Sequence, residues 1–282
     1  MVKIISDSTS DLTADLLEKY DISVLPLHIL LGEKEYLDGV NITPEEIYEW
    51  SDAHGATPKT SAPSREMAEE LLRPYVEAGR EVVCFSISGE MSSSGNVMRL
   101  AAEALDGEEL VHVVDSANLS TGIGHLVLEA AIMAQAGADA AAIVKRMEEL
   151  KPLVRASFVV DTLVYLYRGG RCSGLAAMAG SVLKLHPRIA VEDGKMSPGK
   201  KYRGQLDRVI MSYVKDMEEA LKAAKKDRVF ITHSGCDRAV VEQVRAYLAS
   251  LDHFDEILET RAGGVISSHC GPGTLGVLFL AA

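Results

Sequence analysis

A chain of 282 residues, 47% apolar and 25% charged, is long enough to bury a large core in one or two domains without disulfide staples. Its net charge of −12 excludes a broad basic face of the kind that neutralises nucleic-acid phosphates. The absence of any apolar run of roughly eighteen residues argues against an integral membrane segment.

The opening Met1-Val2-Lys3-Ile4-Ile5-Ser6 lacks a signal-peptide layout and reads as a first strand. Helical periodicity follows over Thr13 to Tyr20. Ser23 to Leu31 is β-like, with Pro26 marking an edge or a bend. Thr43-Pro44-Glu45-Glu46 is a capping box with proline at the first helical position, so a helix runs from there to about His54. Gly55 to Ser64 reads as a loop, and Ser64 caps a helix to about Ala78. The buried strand Glu81 to Phe85 feeds a serine-rich loop and a helix to about Leu105. A strand at Leu110 to Val114 and helices at Leu119–Gln135 and Ala138–Leu150 complete a βαβα rhythm, which predicts a parallel sheet covered by helices.

Lys151-Pro152 forms a seam. Beyond it the pattern predicts a strand at Ala156–Asp161, a helix from Thr162 to Arg168 stopped by Gly169-Gly170, and a helix over Leu175–Leu185 rich in small residues. A hairpin turning at Asp193-Gly194 comes next. One long amphipathic helix is expected over Leu206–Lys225, then a strand at Arg228–Thr232 and a helix at Asp237–Leu251. The β-type segments Ile257-Leu258, Gly263–Ile266 and Val277–Phe279 close the chain. The expected fold is two α/β domains. Residues 1–152 hold a parallel sheet flanked by helices, and residues 153–282 hold a mixed sheet.

Chemistry-bearing residues cluster in four stretches: Ser6–Asp11, Thr60–Ser64, Ser86–Ser94 and Ser268–Gly273. Loops after parallel strands are where open α/β sheets bind ligands. Short neutral donors on such loops grip an anionic head group without a large fixed charge. Thr60, Ser92 and His269 supply two hydroxyls and an imidazole, enough to satisfy the acceptor directions of a carboxylate. Each hydroxyl is equally able to close its own turn.

Rival motifs are weaker. Gly194–Lys201 resembles a P-loop but ends in Lys201 where a magnesium-binding hydroxyl is required. A serine hydrolase lacks the G-x-S-x-G elbow. Asp7, Asp11 and Asp115 near strand ends suit magnesium in a phosphotransferase, yet aspartates there cap helices anyway. Cys84, Cys172, Cys236 and Cys270 show no CxxC spacing and signal neither zinc nor a redox pair. Free thiols without an export signal predict the cytoplasm. The densest basic patch, Lys195, Lys200, Lys201, Arg203 and Arg208, sits on a solvated hairpin and the start of the next helix.

Five ordered elements give the chain an end-to-end resemblance to the DegV family, the FakB-type bacterial fatty-acid-binding proteins. Asp7-Ser8-Thr9-Ser10-Asp11-Leu12 matches D-S-x-x-D-L. Thr60-Ser61-Ala62-Pro63-Ser64 matches T-S-Q-P-S with alanine for glutamine. Ser86–Ser94 loosely matches the serine-glycine run, with Ser92 keeping the serine. Leu166–Ser173 matches L-x-R-G-G-R-I-S, and His269–Gly273 matches H-x-G-P-G. The resemblance implies a non-enzymatic lipid carrier with no cofactor and one long-chain fatty acid bound between two domains. Thr60, Ser92 and His269 would hold the carboxylate, supported by Ser61, Ser93 and Ser94. It also implies a separate fatty acid kinase that phosphorylates the bound acid to an acyl-phosphate for phospholipid synthesis. Arg171 and Arg203 are the docking candidates, since arginine suits phosphate and interface contacts. Leu175, Ala176, Ala177, Met178, Ala179, Gly180, Val182 and Leu183 are candidates for lining the acyl tunnel. His269 would let pH act on the site near neutrality.

Overall fold

A computed structural model describes residues 1–172 and 185–282. The first half opens with β1 (Lys3–Asp7), a 3-10 turn (Ser8–Ser10), α1 (Ala14–Lys19) and β2 (Ile22–Leu25). Pro26 then bends the chain out of that sheet into β3 (His28–Leu31) and β4 (Lys34–Leu37). After these come α2 (Pro44–His54), β5 (Lys59–Ser61), α3 (Arg65–Glu77), β6 (Val82–Ser86) and α4 (Ser94–Ala104). The half closes with β7 (Val111–Asp115), α5 (Thr121–Gln135) and α6 (Ala140–Leu150).

β2-β1-β6-β7 form an all-parallel sheet. β1 and β6 are buried at every position; Ile4 and Ile5 of β1 and Val82 to Phe85 of β6 supply the apolar surface of covered strands, while Lys3 bonds Asp21 and Asp7 bonds Thr9, Ile87 and Ser94. α2 starts as its capping box dictates, with Thr43 and Glu46 bonded reciprocally, and stops at Gly55 in the left-handed region.

One element departs from expectation inside Gly55–Ser64. β5 is a strand, the edge of a small antiparallel sheet in the order β4-β3-β5. Its three residues carry no alternating apolar signal; pairing with β3 makes it a strand.

The second half contains β8 (Val154–Arg155), β9 (Ser157–Val159), α7 (Val164–Gly169), β10 (Leu185–Glu192) and β11 (Lys195–Arg203). It continues with α8 (Leu206–Lys215), α9 (Glu218–Lys222), β12 (Ala224–His233), α10 (Arg238–Ser250), β13 (Glu256–Arg261), α11 (Gly264–Cys270) and β14 (Leu275–Ala281). Its sheet runs β11-β10-β9-β14-β12-β13, with β8 also on β14. β12 and β13 are parallel and the other pairings antiparallel, so the sheet is mixed. Gly194–Lys201 falls on the turn and return strand of the β10–β11 hairpin, which is not the setting of a phosphate loop. The helix expected over Leu175–Leu185, with its tunnel candidates, lies outside the described residues except for Leu185, which opens β10.

The expected long helix Leu206–Lys225 is broken. α8 ends at Lys215, Asp216 turns aside to accept from Lys200 and Tyr202, and Ala224 already pairs with Ala281 in the sheet. Tertiary pairing overrides local helix preference there.

α5 joins the two halves. It is buried nearly all round, as an alanine-rich helix without a polar face must be. Ile4 and Phe85 from one sheet, Ile123 and Leu126 from α5, and Phe230 and Leu278 from the other sheet belong to one continuous core. Within it His125 bonds the carbonyl of Leu278 through Nε2 at 3.1 Å, and burial drives its pKa down to about 3.

Candidate ligand-binding site

Three segments distant in the chain meet at one cavity. Thr60 lies on β5, held by its pairing with Ile29 of β3. Ser92 lies in the turn after β6, where the amides of Met91 and Ser92 both bond the carbonyl of Ser88. The Ser88 hydroxyl ties this turn to the second half by donating to the carbonyl of Gly194 at 2.7 Å.

His269 is the penultimate residue of α11, and this corrects the expectation of a β-type segment leading into a histidine loop. A short apolar run flanked by glycine does not by itself distinguish a strand from a buried helix. Here Ser267 and Ser268 turn their hydroxyls back onto the carbonyls of Ala262 and Gly264, and the turn closes as a helix.

Thr60 Oγ1 lies 2.8 Å from His269 Nε2. Both side chains line a cavity of about 280 Å³, together with Ser92, the exposed Ser61 and Ser93, and Arg171. The rest of the wall is apolar: Leu27, Ala62, Ile87, Met91, Leu119, Met196, Val265, Ile266 and Cys270. Leu119, Ile266 and Cys270 also border a smaller space of about 20 Å³ toward Phe158 and Leu278. Hydroxyls around that inner space face away into bonds of their own. Ser120 donates to Asp11, Thr274 to the Cys270 carbonyl, and Thr232 is bonded to Thr121 and Thr260. The site therefore combines a cluster of hydroxyls and an imidazole with an apolar wall that continues into the adjoining space.

Ser94, the Ser6–Asp11 stretch and Arg203 are placed elsewhere. Ser94 is buried outside the cavity wall, its hydroxyl given to Asp7 at 2.8 Å. None of Ser6 to Asp11 lines the cavity. Arg203 stands exposed on β11 and also lies away from the lining. In the basic patch, Lys195 pairs with Glu90 and Lys200 with Asp216.

Among the described residues, His269 Nδ1 is buried without a hydrogen-bond partner. A buried N–H without an acceptor costs more than a bare lone pair, so the proton resides on Nε2 and is donated to Thr60. The Thr60 hydroxyl hydrogen is then free for a ligand. Ser92 Oγ accepts from the Ser94 amide at 3.3 Å, which leaves its hydroxyl hydrogen for the same purpose.

Burial, helped by the Arg171 charge, pushes the His269 pKa down to about 4. The ring is neutral throughout the physiological range, so the expected pH response near neutrality is not built into it. The folded value lies below the ordinary one of about 6.5, so its stabilisation is complete above about pH 6.5 and is lost as pH falls toward 4. An NMR titration of the His269 imidazole should show a midpoint near 4; a midpoint near 6.5 would show a solvated ring. Burial pushes the pKa of the Cys270 thiol up instead, so it is no nucleophile. A hydrolase built on Ser92 would aim its imidazole at that serine, but Nε2 here is bonded to Thr60 and, as the donor in that bond, holds no free lone pair to act as a base.

The fold and site together define a three-sheet α/β protein with a cavity lined by hydroxyls, an imidazole and apolar side chains from both halves. The chain belongs to the DegV family: the family's model, described as an uncharacterised protein family, matches residues 1–282. A DegV domain-containing protein of Deinococcus radiodurans is 33% identical over 279 residues, covering 98% of this chain and 97% of the relative. A Thermotoga maritima protein named a fatty acid-binding protein is 32% identical over 281 residues, covering 98% and 96%. A Thermus thermophilus DegV-family structure described as binding fatty acid superposes with a TM-score of 0.88 at 32% identity, covering 100% and 99%. A stearic-acid-binding protein of Eubacterium ventriosum gives 0.86 at 29%, covering 100% and 98%. No helix among the described residues is long and apolar enough to cross a membrane.

Proposed function

We propose that this protein is a cytoplasmic carrier that binds one long-chain fatty acid and presents its carboxylate to a separate fatty acid kinase. The observation that carries the reading is the Thr60–His269 bond in a cavity whose remaining wall is mostly apolar. The fatty-acid-binding relatives support it. In this reading residues 1–152 and 153–282 are the two domains that enclose the ligand. Thr60 and Ser92 donate to the carboxylate, His269 orients Thr60, and Ser61 and Ser93 line the opening.

A tail of about fifteen methylenes at roughly 0.8 kcal/mol each contributes about 12 kcal/mol before ordering costs. Ordering the tail and immobilising the ligand remove several kcal/mol. Non-covalent carriage is therefore sufficient.

Extraction and mass spectrometry of the purified protein should yield close to one equivalent of fatty acid; repeated lipid-free preparations that bind no acyl chain would reject the proposal. Ser92→Ala should weaken fatty-acid binding by about 1–3 kcal/mol, since the carboxylate loses a buried partner. Unchanged affinity would remove Ser92 from the site. Arg171 is exposed beside the opening and Arg203 is exposed on β11. Reversing their charge should impair phosphorylation of the bound acid and spare lipid binding; the opposite result would reject them as the docking residues.

A further inference from the structure

The first hydroxyl-aspartate stretch has no place in the cavity wall, yet its bonds end on the segments that carry the site. Asp7, Asp11 and Asp38 are buried. Asp7 Oδ2 accepts from the Ile87 amide at 2.9 Å and from Ser94 Oγ at 2.8 Å, on either side of Ser92. Its Oδ1 accepts from the amide and hydroxyl of Thr9, which caps the 3-10 turn.

Asp11 Oδ1 accepts from the Gly263 amide at 2.8 Å, and Asp38 Oδ1 from the Gly264 amide at 2.7 Å. Their second oxygens are held by Ser120 and Ser8. The Ser8 hydroxyl also accepts from the amide of Leu27, a cavity residue. Glycine at 264 permits this approach, because a Cβ there would lie 2.6 Å from Ile29 Cδ1 and 3.0 Å from Asp38 Oδ1. Two carboxylates from the first half thus hold the start of α11, while its other end sets His269 against Thr60. Seven residues of helix span only about 10 Å, so a shift at the capped end is transmitted to the ring. That ring lines the cavity, and its buried Nδ1 has no hydrogen-bond partner among the described residues.

We infer that Asp7, Asp11 and Asp38 are positioning residues for the head-group site: Asp7 sets the Ser92 turn, and Asp11 with Asp38 set the helix that delivers His269. The inference rests on the reading of Thr60, Ser92 and His269 as the carboxylate grip. Asp7 and Asp11, as aspartates after a strand, look like caps of the next local helix. Asp7 does cap its own 3-10 turn, but Asp11 bonds the entrance of a helix more than two hundred residues away.

The test uses Asp38→Ala in the full chain. In lipid-free protein, the His269 imidazole NMR signals should move away from their wild-type positions. Binding of a fluorescent long-chain fatty acid should weaken by about tenfold or more, and binding of the fatty alcohol of equal length by less than about twofold. Asp38→Asn keeps the Oδ1 acceptor for Gly264 and should restore most of both readouts. In a His269→Ala background, Asp38→Ala should cost less than about twofold further, because the group it positions is gone. Should Asp38→Ala fail to fold, Asp38→Glu, which shifts the acceptor by one methylene, should give the same displaced signals and the same acid-specific loss. Unmoved His269 signals, or equal losses for acid and alcohol, would overturn the inference. The NMR measurement needs no lipid and decides positioning alone. Wild-type fatty-acid affinity in His269→Ala would instead sink the carboxylate-grip reading.

Discussion

Replacing Glu129 with alanine should lower the free energy of unfolding by about 3 kcal/mol, because it strands a cation in the core that joins the two halves. Glu129 lies on α5 and its Oε1 accepts from Arg228 Nη1 of β12 at 2.8 Å. The Arg228 side chain is only 9% exposed and that of Glu129 20%. Formation of such a pair contributes little net stability, since desolvating both charges offsets their attraction. Breaking one is different, because the remaining guanidinium keeps its desolvation cost and loses its partner. Breaking a buried pair costs roughly 3–5 kcal/mol, and the 20% exposure of the Glu129 side chain holds the expected loss toward the lower end. Glu129→Gln keeps an acceptor and should lose less. A Glu129→Leu, Arg228→Met double variant should recover most of the stability. Urea denaturation at a fixed lipid load measures all three, and a loss under about 1 kcal/mol for Glu129→Ala would show that solvent reaches Arg228 freely.

The elements readable in advance are those whose causes are local. Thr43, Pro44 and Glu46 start α2 through bonds spanning three residues. Asp193 and Gly194 both take positive φ and turn the β10–β11 hairpin. The apolar run of β6 needs only cover on either side. Where the cause is remote, the pattern misleads. β5 is a strand because β3 lies beside it, and α11 is a helix whose entrance is held by Asp11 and Asp38. No window of sequence contains both partners. The site divides the same way. Thr60, Ser92 and His269 stand out as a hydroxyl–imidazole set and through the family motifs, and all three line one cavity. That the Thr60 and His269 side chains bond each other, and that Asp7 and Asp11 serve the site from behind it, depends on contacts between the halves. Glycine in a Gly-Gly pair after a helix reads as a simple stop, and Gly170 is one, with φ of 68°. Gly169 carries a second constraint that its position alone does not announce.

Gly169→Ala separates these two roles because they predict opposite signs. As the last residue of α7 without a positive φ, position 169 should gain roughly 0.5–1 kcal/mol from alanine on helix preference alone. Yet a Cβ there would sit 2.3 Å from His269 Nδ1, 3.2 Å from Cε1 and 3.4 Å from Cγ. The imidazole is wedged between this backbone and Thr60, so it must leave the 2.8 Å bond to make room. The variant should therefore be destabilised by about 1–3 kcal/mol, the usual cost of overpacking. Fatty-acid affinity should fall by about 2–4 kcal/mol, roughly 30- to 1,000-fold, because both His269 and the hydroxyl it orients are lost to the carboxylate. Gly170→Ala is the matched control. Its Cβ meets nothing within 4 Å among the described residues, but the left-handed backbone costs an L residue about 1 kcal/mol. Stability should fall slightly there while affinity holds. Calorimetric titration with a long-chain fatty acid, paired with denaturation of each variant, reads both quantities. A Gly169→Ala protein that is more stable than wild type and binds as tightly would mean that His269 does not rest against this glycine and that its bond to Thr60 is not what grips the head group.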